Sequence, residues 1–129
     1  MKIRILNIIA AGLLAVALTS CRTAPVLNVD NASFVANHQV TLSDVGDAII
    51  RAGGGLGWRM RKESEGHMIG TLALRSHVAV VDITYDTSEF SIHYKDSTNL
   101  NYDGTKIHSN YNGWIQNLQN AILAETSAL

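Results

Sequence analysis

A single cysteine and a single proline stand among the 129 residues, and the first scarcity already narrows what the chain can be. One cysteine excludes an intramolecular disulfide and any multi-cysteine metal site. A basic excess is missing too. The formal charge is −1, and removal of Lys2 and Arg4 with the amino-terminal segment leaves 8 basic residues against 11 acidic ones, a balance of −3. That balance disfavours a generic binder of nucleic acid or of anionic membranes. The longest almost uninterrupted apolar run, Ile5 to Leu18, broken by Asn7, has 14 residues and as a helix would rise about 21 Å, short of a bilayer core of about 30 Å. What is present is a 47% hydrophobic composition. It suffices for one two-layer core and leaves no room for a second.

Lys2 and Arg4, the apolar run and Leu18-Thr19-Ser20-Cys21 follow one another in the order of an export signal. The last four residues resemble the lipobox of bacterial lipoproteins, an aliphatic residue and two small ones before a cysteine. The resemblance implies cleavage before Cys21 and diacylation of Cys21, which becomes the new amino terminus. Two acyl chains make a stable anchor. Arg22 follows where an aspartate would favour inner-membrane retention, so the same resemblance implies sorting to the periplasmic face of the outer membrane. Residues 1–20 are thus expected to be a signal peptide, 21–40 a lipidated linker and 41–129 a single domain.

The linker expectation rests on Pro25, several asparagines and the lack of a sustained period between Arg22 and Gln39, with only a weak strand signal at Phe34-Val35. Thr41-Leu42-Ser43-Asp44 matches a capping box, and a helix over Leu42–Ala52 follows, with Leu42, Val45, Ile49 and Ala52 on one stripe and Gly53 as its left-handed stop. Four strands are expected at Trp58–Lys62, Met68–Leu74, Ala79–Tyr85 and Phe90–Lys95. Their short connections demand antiparallel neighbours. Parity puts Met68, Leu72, Val81, Ile83, Phe90 and Ile92 on one face. Asn110–Ala124 reads as a second helix with Tyr111, Trp114, Ile115, Leu118 and Ile122 on a stripe. The expected fold class is α+β: a helix, a four-stranded antiparallel meander and a helix, with both helices on one face of the sheet.

Most of the mature chain resembles small proteobacterial lipoproteins without an assigned activity. The resemblance is carried by Gly57-Trp58, Arg75 with His77, Val81 and Ile83, Ile92 and Tyr94, Asp96-Ser97, Asn99-Leu100, Ile107-His108, Asn110-Tyr111-Asn112, Trp114-Ile115 and Asn117-Leu118. It implies an address and an architecture, and it transfers no functional residue.

Candidate chemistry is thin. Gly53-Gly54-Gly55-Leu56-Gly57 leaves a helix at its negative end and lacks a following Lys-Ser/Thr, which contradicts a phosphate loop. Asn99 to Gly104 mimics a calcium loop, but the first position is Asn99 and the twelfth is Asn110, so charge and coordination fall short. The five histidines show no i, i+4 pair, and no nucleophile elbow is visible. No cofactor, metal or catalytic residue is expected. Asp82 and His93 are expected to pair across the last hairpin.

The least ordinary feature is the outer sheet face, where Ile69, Thr71, Ala73, Val78 and Val80 form a patch more apolar than a solvated face needs. Two covers fit it, the Val26–Gln39 segment or a partner. The expected function is therefore a lipid-anchored, non-catalytic periplasmic domain that binds another cell-envelope component through the sheet or its edge, most readily a protein. The alternative is a small cell-wall-acting enzyme or glycan-binding protein with a polar site at Asp96, Asn99, His108 and Asn112.

Overall fold

The computed structural model describes residues 22–129; the expected signal peptide and Cys21 lie outside the described residues. Helix α1 spans Leu42–Gly55 and begins as the sequence indicates. The Thr41 hydroxyl accepts from the Asp44 amide at 3.1 Å, and the Asp44 carboxylate accepts from the Thr41 amide at 2.9 Å, so two free amides of the first turn are satisfied reciprocally. The helix runs past Gly53, which stays helical and buried. The left-handed residue is Gly57, at φ 89°.

Four strands follow, here numbered after two earlier ones: β3 (Arg59–Ser64), β4 (His67–Leu74), β5 (His77–Tyr85) and β6 (Glu89–Thr98). They pair antiparallel in sequence order, and Tyr85 faces Phe90, Ile83 faces Ile92 and Asp82 faces His93. Between Val80 and Val81 the register slips by one, because Val81 pairs with Tyr94 but Val80 with Asp96. Lys95 is the extra residue, the mark of a β-bulge. Helix α2 (Ser109–Ser127) closes the chain after a three-residue strand β7 (Lys106–His108).

The four-stranded meander is not what forms. The segment expected as a linker supplies β1 (Thr23–Pro25), which pairs with β7 in a two-stranded sheet, and β2 (Val29–Ser33), which adds to β6. The main sheet has five strands in the order β2-β6-β5-β4-β3, so its first strand lies outside the sequential series. The physical reason is apolar content: Val29 and Phe34 are buried in the same core as the helices, and Val26 and Leu27 pack against it. Burying such side chains is worth about 1.5–3 kcal/mol each, more than a free tether could gain in water.

That core joins Val45, Ile49 and Ala52 of α1, Tyr111, Ile115, Leu118 and Ile122 of α2, and Met68, Leu72, Ala79, Val81, Ile83, Phe90 and Ile92 of the inner sheet face. Two glycines make room for one side chain within it. A methyl on Gly53 would meet Met60 Sδ at 2.7 Å, and one on Gly70 would meet the same sulfur at 3.1 Å and Val81 Cγ2 at 3.2 Å. Met60 thus lies in a notch shared by helix and sheet. Gly70→Ala is expected to destabilise by about 1–3 kcal/mol through overpacking, whereas Gly54→Ala, which meets nothing within 4 Å, is expected to be neutral or to stabilise by up to about 1 kcal/mol. Chemical denaturation of the two variants checks the contrast.

Candidate functional site

The outer face of the sheet is ordered by register into rows. Arg59, Thr71, Val80 and Asp96 stand across four strands in one row, and Arg61, Ile69, Asp82 and His93 in the next. Ala73, Val78 and Thr98 form a third. Ile69 is 8% exposed, Thr71, Val78 and Val80 are half-buried, and Ala73 is exposed. An apolar centre therefore lies between an Arg59/Arg61 margin on β3 and an Asp96/His93/Lys95 margin on β6. Sequence reasoning passed over Arg59 and Arg61, and the signal that finds them is their parity with Thr71 and Ile69 across the β3–β4 hairpin.

The polar groups of this face are tied to one another. His67 Nε2 lies 2.7 Å from Asp82 Oδ1, and Lys95 Nζ lies 3.7 Å from the same oxygen. Arg61 reaches Glu63 at 2.7 Å along its own strand. Asp82 and His93 are cross-strand neighbours, as their spacing indicates, yet their side chains part. β2 brings Asp30 to the His93 ring, and the bulge turns Lys95 toward Asp82.

The four residues of the alternative polar site do not converge. Asn112 clamps the backbone between β1 and β2: its Oδ1 accepts from the Leu27 amide at 2.9 Å, and its Nδ2 donates to the Pro25 carbonyl at 2.8 Å. Its amide stands in for a neighbouring strand. His108 caps α2, with Nδ1 accepting from the Asn110 amide at 3.1 Å, which leaves the neutral ring's proton on Nε2. Asn99 sits at φ 58° and donates to Ser76 Oγ, while its carbonyl accepts from His77 Nδ1 at 2.7 Å. Asp96 accepts from the Ser97 amide.

Asp96 and Asn99 do line a shallow, open concavity of about 600 Å³ with Tyr94, Lys95, Ser97, Leu100, Asn101 and Tyr102. Tyr102, which sequence reasoning passed over, stacks on Tyr94 at 4.0 Å and remains 42% exposed. Behind them Tyr111 is fully buried, edge-on to Tyr94 at 5.8 Å. Its hydroxyl has no hydrogen-bond partner among the described residues, and burial holds its ionisation above the usual phenol range. Burial raises Tyr94 as well, against the lowering effect of the Ser97 hydroxyl at 2.7 Å. Phenols held neutral in this way can stack and donate hydrogen bonds but cannot serve as bases near neutrality. Among the described residues no three His, Cys, Asp or Glu side chains gather as metal ligands.

Asp103 locks the turn beside this concavity. It accepts from the Lys106 and Thr105 amides at 2.7 and 2.9 Å, and those bonds hold its carboxyl below the usual aspartate range. Since the folded value is the depressed one, the turn is fully fastened above the unfolded value and loosens as pH falls through the folded value. Carboxyl NMR titration should show this, and Asp103→Asn should abolish the acid-linked change in the Thr105 and Lys106 amides. Asn112→Ala should cost about 1–3 kcal/mol, by orphaning the Leu27 amide and the Pro25 carbonyl, and should speed hydrogen exchange at Leu27. Comparison of the chain with protein-family models, with curated proteins and with solved structures found no match.

Proposed function

We propose that this chain is a lipoprotein domain, anchored through Cys21 at the periplasmic face of the outer membrane, which binds another envelope protein through its outer sheet face and catalyses no reaction. The observation that carries the binding reading is that the expected covering segment lies elsewhere, leaving Val78 and Val80 half-buried on that face. The segment that could have covered it is occupied elsewhere: β1 pairs with β7 and β2 extends the sheet at β6. Both helices contribute to the core built on the inner face. An apolar centre around Ile69, Val78 and Val80 with a charged rim follows the anatomy of a protein interface. The free edge at β3 is a poorer docking line, because Arg59, Arg61 and Lys62 blunt it. The anchor is supported by the charged start, the apolar run and the lipobox-like Leu18-Thr19-Ser20-Cys21. No helix among the described residues is long and apolar enough to cross a membrane.

The concavity at Tyr94 and Tyr102 favours a second reading, a glycan-binding site. An exposed Tyr102 ring with Asp96, Asn99 and Asn101 around it offers a stacking platform and hydrogen-bonding groups. Two separate side-chain changes distinguish the readings. Val80→Glu places a charge at the centre of the apolar face without touching the core, so it should fold normally and lose crosslinks formed in cells from a photoreactive group at Thr71. Tyr102→Ala should keep them. Retained crosslinks in folded Val80→Glu, with loss of peptidoglycan binding in Tyr102→Ala, would move the function to the concavity. Intact-mass measurement should find acylated Cys21 at the mature terminus, and an unmodified Cys21 would remove the anchor.

A further inference from the structure

The fold sorts charge along the strand axis in a way that the net balance conceals. One end of the sheet gathers the β4–β5 turn, the α1–β3 connection, the start of α2 and the first described residue. Their proximity is fixed by contacts. The His77 ring lies 6.3 Å from that of His108 and 6.4 Å from that of Trp114, and Asn99 bonds both Ser76 and His77. The Ser109 amide donates to the Arg22 carbonyl at 2.6 Å. Leu72 packs within 3.8 Å of the space a side chain at Gly57 would enter. Segments 22–24, 53–59, 73–78, 98–101 and 107–114 meet here, and they carry Arg22, Arg59 and Arg75, all exposed, with Asp96, in the row of Arg59, as the neighbouring acid. Leu56 and Leu74, 40% and 47% exposed, stand at the same end.

The opposite end has the reverse sign. Segments 41–47, 62–67 and 84–89 meet there, as the contact of Leu42 and Ser43 with the β3–β4 turn and Tyr85 shows. They hold Asp44, Asp47, Glu63, Glu65, Asp86 and Glu89 against Lys62. An anionic surface therefore attracts one end of this domain and repels the other.

The chain also fixes which end meets the membrane. Cys21 precedes Arg22 by one peptide unit, about 3.8 Å between Cα atoms, and Arg22 is already bonded to the start of α2. No spacer lies between the cysteine and the folded body. We infer that the domain stands on the bilayer by its arginine-bearing end, with Leu56 and Leu74 entering the interface and Arg22, Arg59 and Arg75 against anionic phospholipid headgroups, so that the acidic end points into the periplasm. This inference rests on acylation of Cys21 and adds an orientation to it.

The full-length acylated protein, reconstituted in vesicles of phosphatidylethanolamine with phosphatidylglycerol, tests it. A nitroxide is attached through Leu74→Cys or Leu56→Cys, and, as the control at the opposite end, through Val35→Cys, since Phe34 bonds the β5–β6 turn at Ser88. The labels at positions 74 and 56 should be about fivefold less accessible to a water-soluble nickel chelate than the label at position 35, as interfacial insertion requires. Arg22→Glu with Arg75→Glu should erase that protection, and so should omission of phosphatidylglycerol. Equal accessibility at all three positions in protein whose amino terminus is acylated by mass would overturn the docking and leave the anchor standing. An unacylated terminus, visible as a labelled Cys21, would overturn both.

Discussion

One-sided burial of an antiparallel sheet sets most of this structure. Met68, Val81, Ile83 and Ile92 are sealed from water, and because side chains alternate along a strand, every intervening residue is directed to the other side. A slip of one residue would exchange the two sets. Both helices are held by the same surface, and so is the amino-terminal segment, whose Val29 and Phe34 complete the core. The bulge at Lys95 is compatible with this constraint because it falls beyond Tyr94, the last β6 residue of the unshifted inner-face run.

Periodicity and capping made β3 to β6, α1 and α2 legible. Thr41 and Asp44 form the capping box that their spacing indicates, and the pairing of Tyr85 with Phe90 follows from parity. β1 and β2 were not legible, for a physical reason. They are short, and they are held by long-range polar contacts with no period: Asn112 to Pro25 and Leu27, Asn28 Oδ1 to the Tyr94 amide, and Ser91 Oγ to the Asn31 amide. Asparagine supplies an amide wherever a strand neighbour is missing and tolerates positive φ, as at Asn31, Asn99 and Asn101. A sequence rich in asparagine therefore resembles a tether or a recognition strip when much of that asparagine is serving the backbone. The outer patch was legible as a pattern, whereas its lack of a cover depended on where residues 22–40 go.

Net charge carried a similar ambiguity. The balance of −3 over residues 21–129 disfavours attraction to an anionic surface only if charge is evenly spread, and charge here follows the strand ends. Arg22, Arg59 and Arg75 are far apart in sequence and are brought to one end by alternating strand direction. Arg59, Ala73 and Val78 belong both to that end and to the outer sheet face, so the two surfaces adjoin along the first row of the sheet.

The pairing of the first strand with the last has a consequence for when the fold can form. β1 pairs with β7, and Asn112 reaches Pro25 across 87 residues of sequence. The first described segment cannot dock until nearly the whole chain is available. Such non-local closure delays folding, because a long loop must be ordered before its contacts stabilise it. A chain emerging amino terminus first thus remains without its two-stranded sheet until residue 108 has appeared, so the amino-terminal strand waits for the carboxy-terminal one.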